Sequence, residues 1–392
     1  MKERIIFHID VNNAFLSWTA VYLLKNGYKK DIRKEPSIIG GDEKSRRGIV
    51  LAKSPIAKKY GVITAETIYS AKKKCPKLEI YPPNYQWYYE KSRELMEYLS
   101  KYSPNFEQFS IDECFLEMTG MNYIYDDLIK LANHIKNEIK ERFGYTVNIG
   151  IGNNKLCAKM ASDFLKPDKV HTLYDYEVKE KMYPLPIGDL FGVGKSTREK
   201  LQSLGIKTIG DLADFDITVL RRYFKNQAEY VINSARGINN EEVDSSTYIP
   251  KGISNELTIS KDTNNYNELC VYLRRLSNLL ARRVREQNKY ANVIAVILKD
   301  KNFKRTTHQK KLKNPINTEE EIYSVSSKIL KEMLGLEKIR LIGIRLDDLV
   351  IKKSYQTSLF EEENVDQNLE KLEKTIDKLK EKYGEDVIKK II

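Results

Sequence analysis

At 392 residues, and with domains commonly running to about 100–200 residues, the chain has room for several domains and a substantial core. Its net charge of +12 and pI near 9.1 point to a polyanionic partner, nucleic acid first. No apolar run reaches membrane-spanning length, Met1–Ile9 is too short and too charged for a signal peptide, and Cys75, Cys114, Cys157 and Cys270 form neither a CxxC nor a zinc-finger spacing. A soluble, intracellular protein with free thiols and no zinc site is therefore expected.

The first element is a buried strand, Arg4–Ile9, closed by Asp10. Asn12 and Asn13 can cap a helix from Ala14 and Phe15 toward Lys25, with Gly27 as its stop. Backbone N–H groups at that helix start suit a phosphate. The mixed, basic stretch Tyr28–Pro82 holds two short strands, Pro36–Gly40 and Gly48–Ala52, and reads as an insertion over the site. Helical spacing returns in Tyr85, Tyr88, Ser92, Leu95, Met96, Leu99 and Tyr102, and again in Ile124, Leu128, Leu131, Ile135, Ile139 and Phe143.

Between those helices, the run Phe109–Met118 should be strand but is interrupted by Asp112-Glu113. Buried charges must be paired or coordinate metal. Asp10, Asp112 and Glu113 without an equal local set of cations suggest divalent metal, and hard oxygen ligands favour Mg²⁺ or Mn²⁺ over Zn²⁺. Adjacent residues on a regular strand face opposite sides, so a shared site requires a turn or bulge at Ser110–Glu113. An exposed hairpin tip with solvated acids is the alternative reading of the same residues.

The alternating Tyr145, Val147, Ile149 and Ile151 supply another strand, giving a sheet backed by helices on one face. From Leu185 the texture changes. Leu190-Phe191-Gly192-Val193-Gly194-Lys195 opens a helix-hairpin-helix pattern, whose Gly192, Gly194 and Lys195 would present N–H groups and charge to a DNA backbone. A polar stretch, Gly237–Pro250, reads as a linker. Beyond it the expected order is βαββαβ: strand 253–260, helix 265–285, strands 291–299 and 303–312, helix 318–334 and strand 338–350. Residues 251–353 carry 22 Lys/Arg against 12 Asp/Glu. Lys301, Lys304, Arg305, Lys310 and Lys311 meet no acidic residue between 301 and 315, which favours phosphate binding over a lysine-guarded edge strand. Leu369, Leu372, Ile376, Leu379 and Tyr383 continue as an amphipathic final helix that can dock on the body.

A carboxylate cluster, a backbone-binding hairpin and a separate basic domain fit nucleotidyl transfer on DNA, with two divalent ions clamping the triphosphate. With Ile9-Asp10 and Ser110-Ile111-Asp112-Glu113 as its most specific elements, the chain resembles the Y-family translesion DNA polymerases, of the bacterial DNA polymerase IV branch, over nearly its whole length. The resemblance implies an α+β multidomain right-hand polymerase. Its parts would be a ferredoxin-like palm (1–19 and 81–166), small fingers (20–80), a helical thumb carrying the hairpin (167–238), a linker (239–250), a βαββαβ little finger (251–352) and a tail (353–392). It further implies a cytoplasmic, nucleoid-associated, monomeric enzyme of low fidelity without proofreading, acting on primer-template DNA and deoxynucleoside triphosphates.

Residue by residue, the resemblance implies two Mg²⁺ ions on Asp10, Asp112, Glu113 and the Val11 carbonyl, and a nucleotide site at Asn12, Asn13, Ala14, Phe15, Ser54, Lys58 and Lys166. Phe15 stands at the steric gate against a ribose 2′-hydroxyl; Ile49 and Leu51 roof the nascent base pair. Where the family usually has a Tyr and an Arg, this chain has Pro55 and Lys58, so the guanidinium fork is lost and Ser54 becomes the available hydrogen-bond donor. Gln356-Thr357-Ser358-Leu359-Phe360 resembles the sliding-clamp-binding pentapeptide, with Gln356, Leu359 and Phe360 as its anchors. Competing readings are a mutasome subunit that needs protein partners, a non-catalytic DNA-binding module, and a nucleotide cyclase suggested by Gly40-Gly41-Asp42-Glu43.

Overall fold

The computed structural model describes residues 4–41, 48–246, 250–351, 364–384 and 387–388. The chain divides into two compact units, Met1–Thr247 and Tyr248–Ile392. The first opens with β1 (Ile6–Val11) and α1 (Ala14–Lys25), followed by β2 (Ser37–Gly40), β3 (Val50–Lys53), α2 (Pro55–Lys59), α3 (Ile68–Lys74) and β4 (Glu79–Tyr81). It continues with α4 (Tyr85–Leu99), β5 (Phe106–Gln108), β6 (Glu113–Glu117), α5 (Leu128–Phe143), β7 (Val147–Gly152), α6 (Lys155–Asp163) and β8 (Val170–Leu173). The helices α7 (Lys195–Ser203), α8 (Ile209–Ala213), α9 (Ile217–Phe224) and α10 (Ala228–Ala235) follow.

The main sheet has the order β5-β6-β1-β7-β8, antiparallel except for the β7-β8 pair. Strand alternation sorts β1 into two faces. Phe7, Ile9 and Val11 join Trp18 of α1, Leu95 and Leu99 of α4, and Ile135 and Ile139 of α5 in one core. Ile6 packs on the opposite face with Phe115 and with Ala158 of α6. The sheet is thus covered on both faces, not on one as the alternation in β7 suggested. The close seat of α6 depends on glycine: a Cβ on Gly150 would lie 2.0 Å from the Ala158 carbonyl oxygen and 2.3 Å from the Ser162 nitrogen. The sheet also gains β8 beyond residue 166, where the change to the helical region was expected.

β3-β2-β4 form a separate three-stranded sheet with its own core of Ile38, Val50, Ala57, Val62, Ile68 and Ala71. Helices α6 to α10 share another, around Leu156, Met160, Leu190, Leu201, Leu212 and Ile232. Residues 239–246, within the expected linker, run along this unit: Arg4 donates to the Glu241 carbonyl at 3.0 Å and the Asp244 N–H to Glu107 at 2.7 Å.

The second unit contains β9 (Gly252–Thr263), α11 (Tyr266–Glu286), β10 (Tyr290–Asp300), β11 (Arg305–Ile316), α12 (Glu319–Met333), β12 (Ile339–Val350) and α13 (Asn364–Tyr383). The βαββαβ order is present, and its sheet runs β11-β10-β12-β9, antiparallel throughout. Leu269, Leu273 and Leu280 of α11 and Ile322 and Ile329 of α12 bury Ile294, Val296 and Leu298 of β10. The final helix docks on this unit through charge. Buried Arg285 pairs with Glu373 and, at 2.7 Å, with Asp377, and donates to the Asn317 carbonyl at 3.0 Å. Glu373 also accepts the Glu319 N–H at the start of α12, at 3.2 Å.

Candidate active site

Asp10 lies opposite Glu113 of β6 and Asn148 of β7, so Asp10 and Glu113 share a face as cross-strand neighbours. Asp112 precedes β6, where the chain turns: the N–H groups of Phe109 and Ser110 both reach the Glu113 carbonyl, at 3.0 and 3.1 Å. The expected turn at Ser110–Glu113 exists, and it frees Asp112 from strand alternation. The Asp112 carbonyl accepts the Val11 N–H at 3.1 Å, and the Ser110 hydroxyl donates to its carboxylate at 2.7 Å.

Burial pushes the Asp10 carboxyl up to about 6; a hydrogen bond with Glu113 adds to this, while Lys166 and Lys159 oppose it. Burial likewise raises Asp112, with the Ser110 hydrogen bond opposing and the Asp10 charge adding to the rise. Burial is the leading cause at both positions, and buried carboxylates of this kind are ones that a nearby cation would relieve.

Two cations stand among them, which the local sequence did not disclose. Lys166 pairs with Asp10 and, at 2.7 Å, with Asp163; Lys159 of α6 pairs with Glu113 at 2.6 Å. Burial lowers the Lys166 ammonium, but Asp10 and Asp163 outweigh it and hold its pKa up. With these pairs made, no group of three His, Cys, Asp or Glu stands at metal-ligating distances among the described residues. The chemistry of the donors nonetheless fits hard divalent ions, because Asp10 and Glu113 face each other across β1 and β6, Asp112 stands at the adjoining turn, and all three supply only oxygen.

Buried His8 lies behind the site, its Nδ1 2.8 Å from the Ser162 hydroxyl and its Nε2 3.9 Å from Glu113. Burial first, then Lys159 and Lys166, hold its pKa well below the usual histidine value, so the ring is neutral there.

Phe15 packs in the first turn of α1. Tyr88 stacks on it at 4.7 Å and 9°, and Tyr85 meets it edge-on at 6.2 Å. The Tyr88 hydroxyl is 2.6 Å from that of Thr19, which donates to the Phe15 carbonyl at 2.7 Å. Ala14 is buried at the helix start. Asn13 occupies the N-cap with φ 48° and no side-chain cap. The Asn12 amide turns inward, donating to Asn148 at 3.2 Å and accepting the Asp168 N–H at 3.0 Å; both of its polar ends are committed inside the protein instead of to a nucleotide.

Ser54 also departs from expectation. It is fully buried, and its hydroxyl caps α2, accepting N–H groups from Ala57 at 3.0 Å and Ser37 at 3.1 Å. Lys58 is exposed on α2. Its charge, after burial, lowers the pKa of Lys53, a second fingers cation that sequence reasoning passed over. Ile49 is exposed and Leu51 half-buried against the core around Leu16.

In the hairpin, Gly192 takes φ +88°, which requires glycine, whereas Gly194 is extended and caps α7, with Lys195 exposed beside it. In the second unit, Lys301, Lys304, Arg305, Lys310 and Lys311 are exposed. Arg305 is bonded to Glu256, and Lys301 pairs with Glu337 at 3.2 Å, so acids from distant segments answer part of a stretch that is uncompensated locally. Gln356, Leu359 and Phe360 lie outside the described residues, as does Asp42-Glu43 of the cyclase-like turn.

Family models match three segments: the impB/mucB/samB family over residues 9–163, the IMS family HHH motif over 176–206, and the impB/mucB/samB family C-terminal domain over 250–359. The DNA polymerase IV of Clostridium acetobutylicum is 46% identical over 390 residues, covering 98% of this chain and 97% of that one. The chain belongs to the Y family of translesion DNA polymerases. DNA polymerase IV 1 of Bacillus subtilis is 33% identical over 99% of this chain and 93% of its own.

Among solved Y-family structures, the polymerase chimera Dbh-Dpo4(243-245)-Dbh aligns with a TM-score of 0.78 at 25% identity, over 89% of this chain and 100% of that one. An insertion ternary complex of Dbh DNA polymerase aligns with a TM-score of 0.60 at 26% identity, over the same shares. The protein is thus a DNA-directed DNA polymerase with the multidomain Y-family fold, dependent on divalent metal. No helix among the described residues is long and apolar enough to cross a membrane.

Proposed function

We propose that Asp10, Asp112 and Glu113, with the Val11 carbonyl, hold two Mg²⁺ ions for deoxynucleotide addition to a primer 3′-hydroxyl. The observation that carries this is the meeting of Asp10 and Glu113 across β1 and β6, with Asp112 released by the turn beside them. When bound, the ions supply charge for the triphosphate and lower the pKa of the attacking hydroxyl.

The chain's own residues do the rest. Lys166 exchanges Asp10 and Asp163 for the triphosphate as nucleotide arrives, and Lys58 adds charge from the fingers. Phe15, propped by Tyr88, bars the 2′-hydroxyl of a ribonucleotide. Neutral His8 and Ser162 back the carboxylates without competing for a proton. Gly192, Gly194 and Lys195 grip a DNA backbone, as do Lys304, Lys310 and Lys311 on the second unit; likeness to the Dbh ternary complex supports a primer-template and a nucleotide bound together. Gln356-Leu359-Phe360 docks a sliding clamp.

The experiment is primer extension by the purified monomer, alone and with Asp112→Asn, on primed and unprimed templates. Extension that needs Mg²⁺, template and Asp112 supports the assignment. Extension only with added protein partners would favour a mutasome subunit instead.

A further inference from the structure

We propose that Asn148, acting with Asn12, is the positioning residue that holds Lys166 over the triphosphate site; this rests on the reading of Lys166 as the triphosphate lysine. Asn148 is fully buried on β7, directly opposite Asp10. Its amide nitrogen donates to the Leu165 carbonyl at 2.7 Å and the Ser162 carbonyl at 3.0 Å. Its amide oxygen accepts from the Asn12 amide at 3.2 Å and from the Lys169 N–H at 3.3 Å. All of its hydrogen-bonding capacity is therefore used.

Asn12 extends the grip by accepting the Asp168 N–H at 3.0 Å. The two amides thus seize the backbone at Ser162 and Leu165 before Lys166, and at Asp168 and Lys169 after it. An irregular segment has no ladder of its own, so its buried backbone groups need such partners. Supplying them from β7 and from the residue that follows β1, the strands that meet at Asp10, ties Lys166 to the same frame as the carboxylate it must release. A fully satisfied buried polar network rigidifies what it holds, and a lysine with four rotatable bonds gains its precision from its anchor. The network leaves the carboxylates alone, so its loss should act on nucleotide binding and not on the chemical step.

The test is steady-state nucleotide incorporation by Asn148→Asp, Asn148→Ser and Asn12→Asp, each alone and combined with Lys166→Ala. Thermal melting confirms that each is folded, and primer-template affinity is measured alongside. Asn148→Asp keeps the shape but turns an oxygen toward two carbonyls; Asn148→Ser is the milder variant if that one does not fold. The expected result is a nucleotide KM raised on the order of ten-fold, with kcat changed less, DNA affinity unchanged, and no further rise on adding Lys166→Ala. A KM that stays at the wild-type value in folded Asn148→Ser overturns the proposal, as do effects that multiply with Lys166→Ala. If Lys166→Ala by itself leaves KM unchanged, the triphosphate role of Lys166 fails first, and the proposal with it.

Discussion

Tyr88 controls how firmly the proposed gate is held. It is fully buried, stacks on Phe15 at 4.7 Å and 9°, and through Thr19 reaches the Phe15 carbonyl. Tyr88→Leu keeps apolar bulk and removes the stack, an interaction worth about 0.5–1.5 kcal/mol beyond area burial. If that energy keeps the Phe15 ring upright against a 2′-hydroxyl, deoxyribose selectivity should fall about 2- to 13-fold, at 1.36 kcal/mol per decade. The assay is the ratio of kcat/KM for matched deoxy- and ribonucleotides opposite one template base, below the melting temperature. Phe15→Ala sets the ceiling by removing the gate, and its ribonucleotide incorporation should rise most. Tyr88→Phe retains the ring and should stay near wild type. Unchanged selectivity in folded Tyr88→Leu, or equal losses for both sugars, would refute the reasoning.

Arg285→Ala should destabilise the second unit by about 3–5 kcal/mol, the usual cost of stranding a buried partner, because Glu373 loses its guanidinium; a denaturation midpoint equal to wild type would mean that α13 contributes nothing there. Deleting Gln356–Phe360 should lower clamp-stimulated synthesis and spare basal extension, and a loss of both would place the segment elsewhere. If Ile49 and Leu51 roof the nascent base pair, Ile49→Ala with Leu51→Ala should improve bypass of thymine dimers, because smaller side chains leave more room above the template base; efficient dimer bypass by the wild type would contradict that role.

The carboxylate site was legible because its signals are local. Acids break apolar runs of sequence at Asp10 and Asp112-Glu113, and period-2 geometry demanded the turn that the Phe109 and Ser110 N–H groups close. The second unit was legible for the same reason, since its alternation and helical spacing are strong. What was missed is long-range. Lys159 reaches Glu113 from α6, so nothing near the acids announces it, and Lys166, named through the family resemblance for the triphosphate, was not foreseen as the partner of Asp10. Asn148 was not singled out, since it stands between Val147 and Ile149 in an alternating run and its partners come from α6 and the segment after it. The available signal was Gly150 and Gly152, small residues that mark a close backbone approach. Ser54 was mistaken because its position before Pro55 also suits a helix cap.

The most direct measurement is template-directed primer extension by Asp112→Asn at saturating Mg²⁺ and nucleotide, beside its affinity for primer-template DNA. The change keeps the side chain's shape and its partner Ser110 while removing one charge from the trio. Extension is expected to fall by about 10²–10³-fold or more, with DNA affinity held and nucleotide addition by the wild type abolished by chelator. Extension by folded Asp112→Asn at the wild-type rate would contradict it.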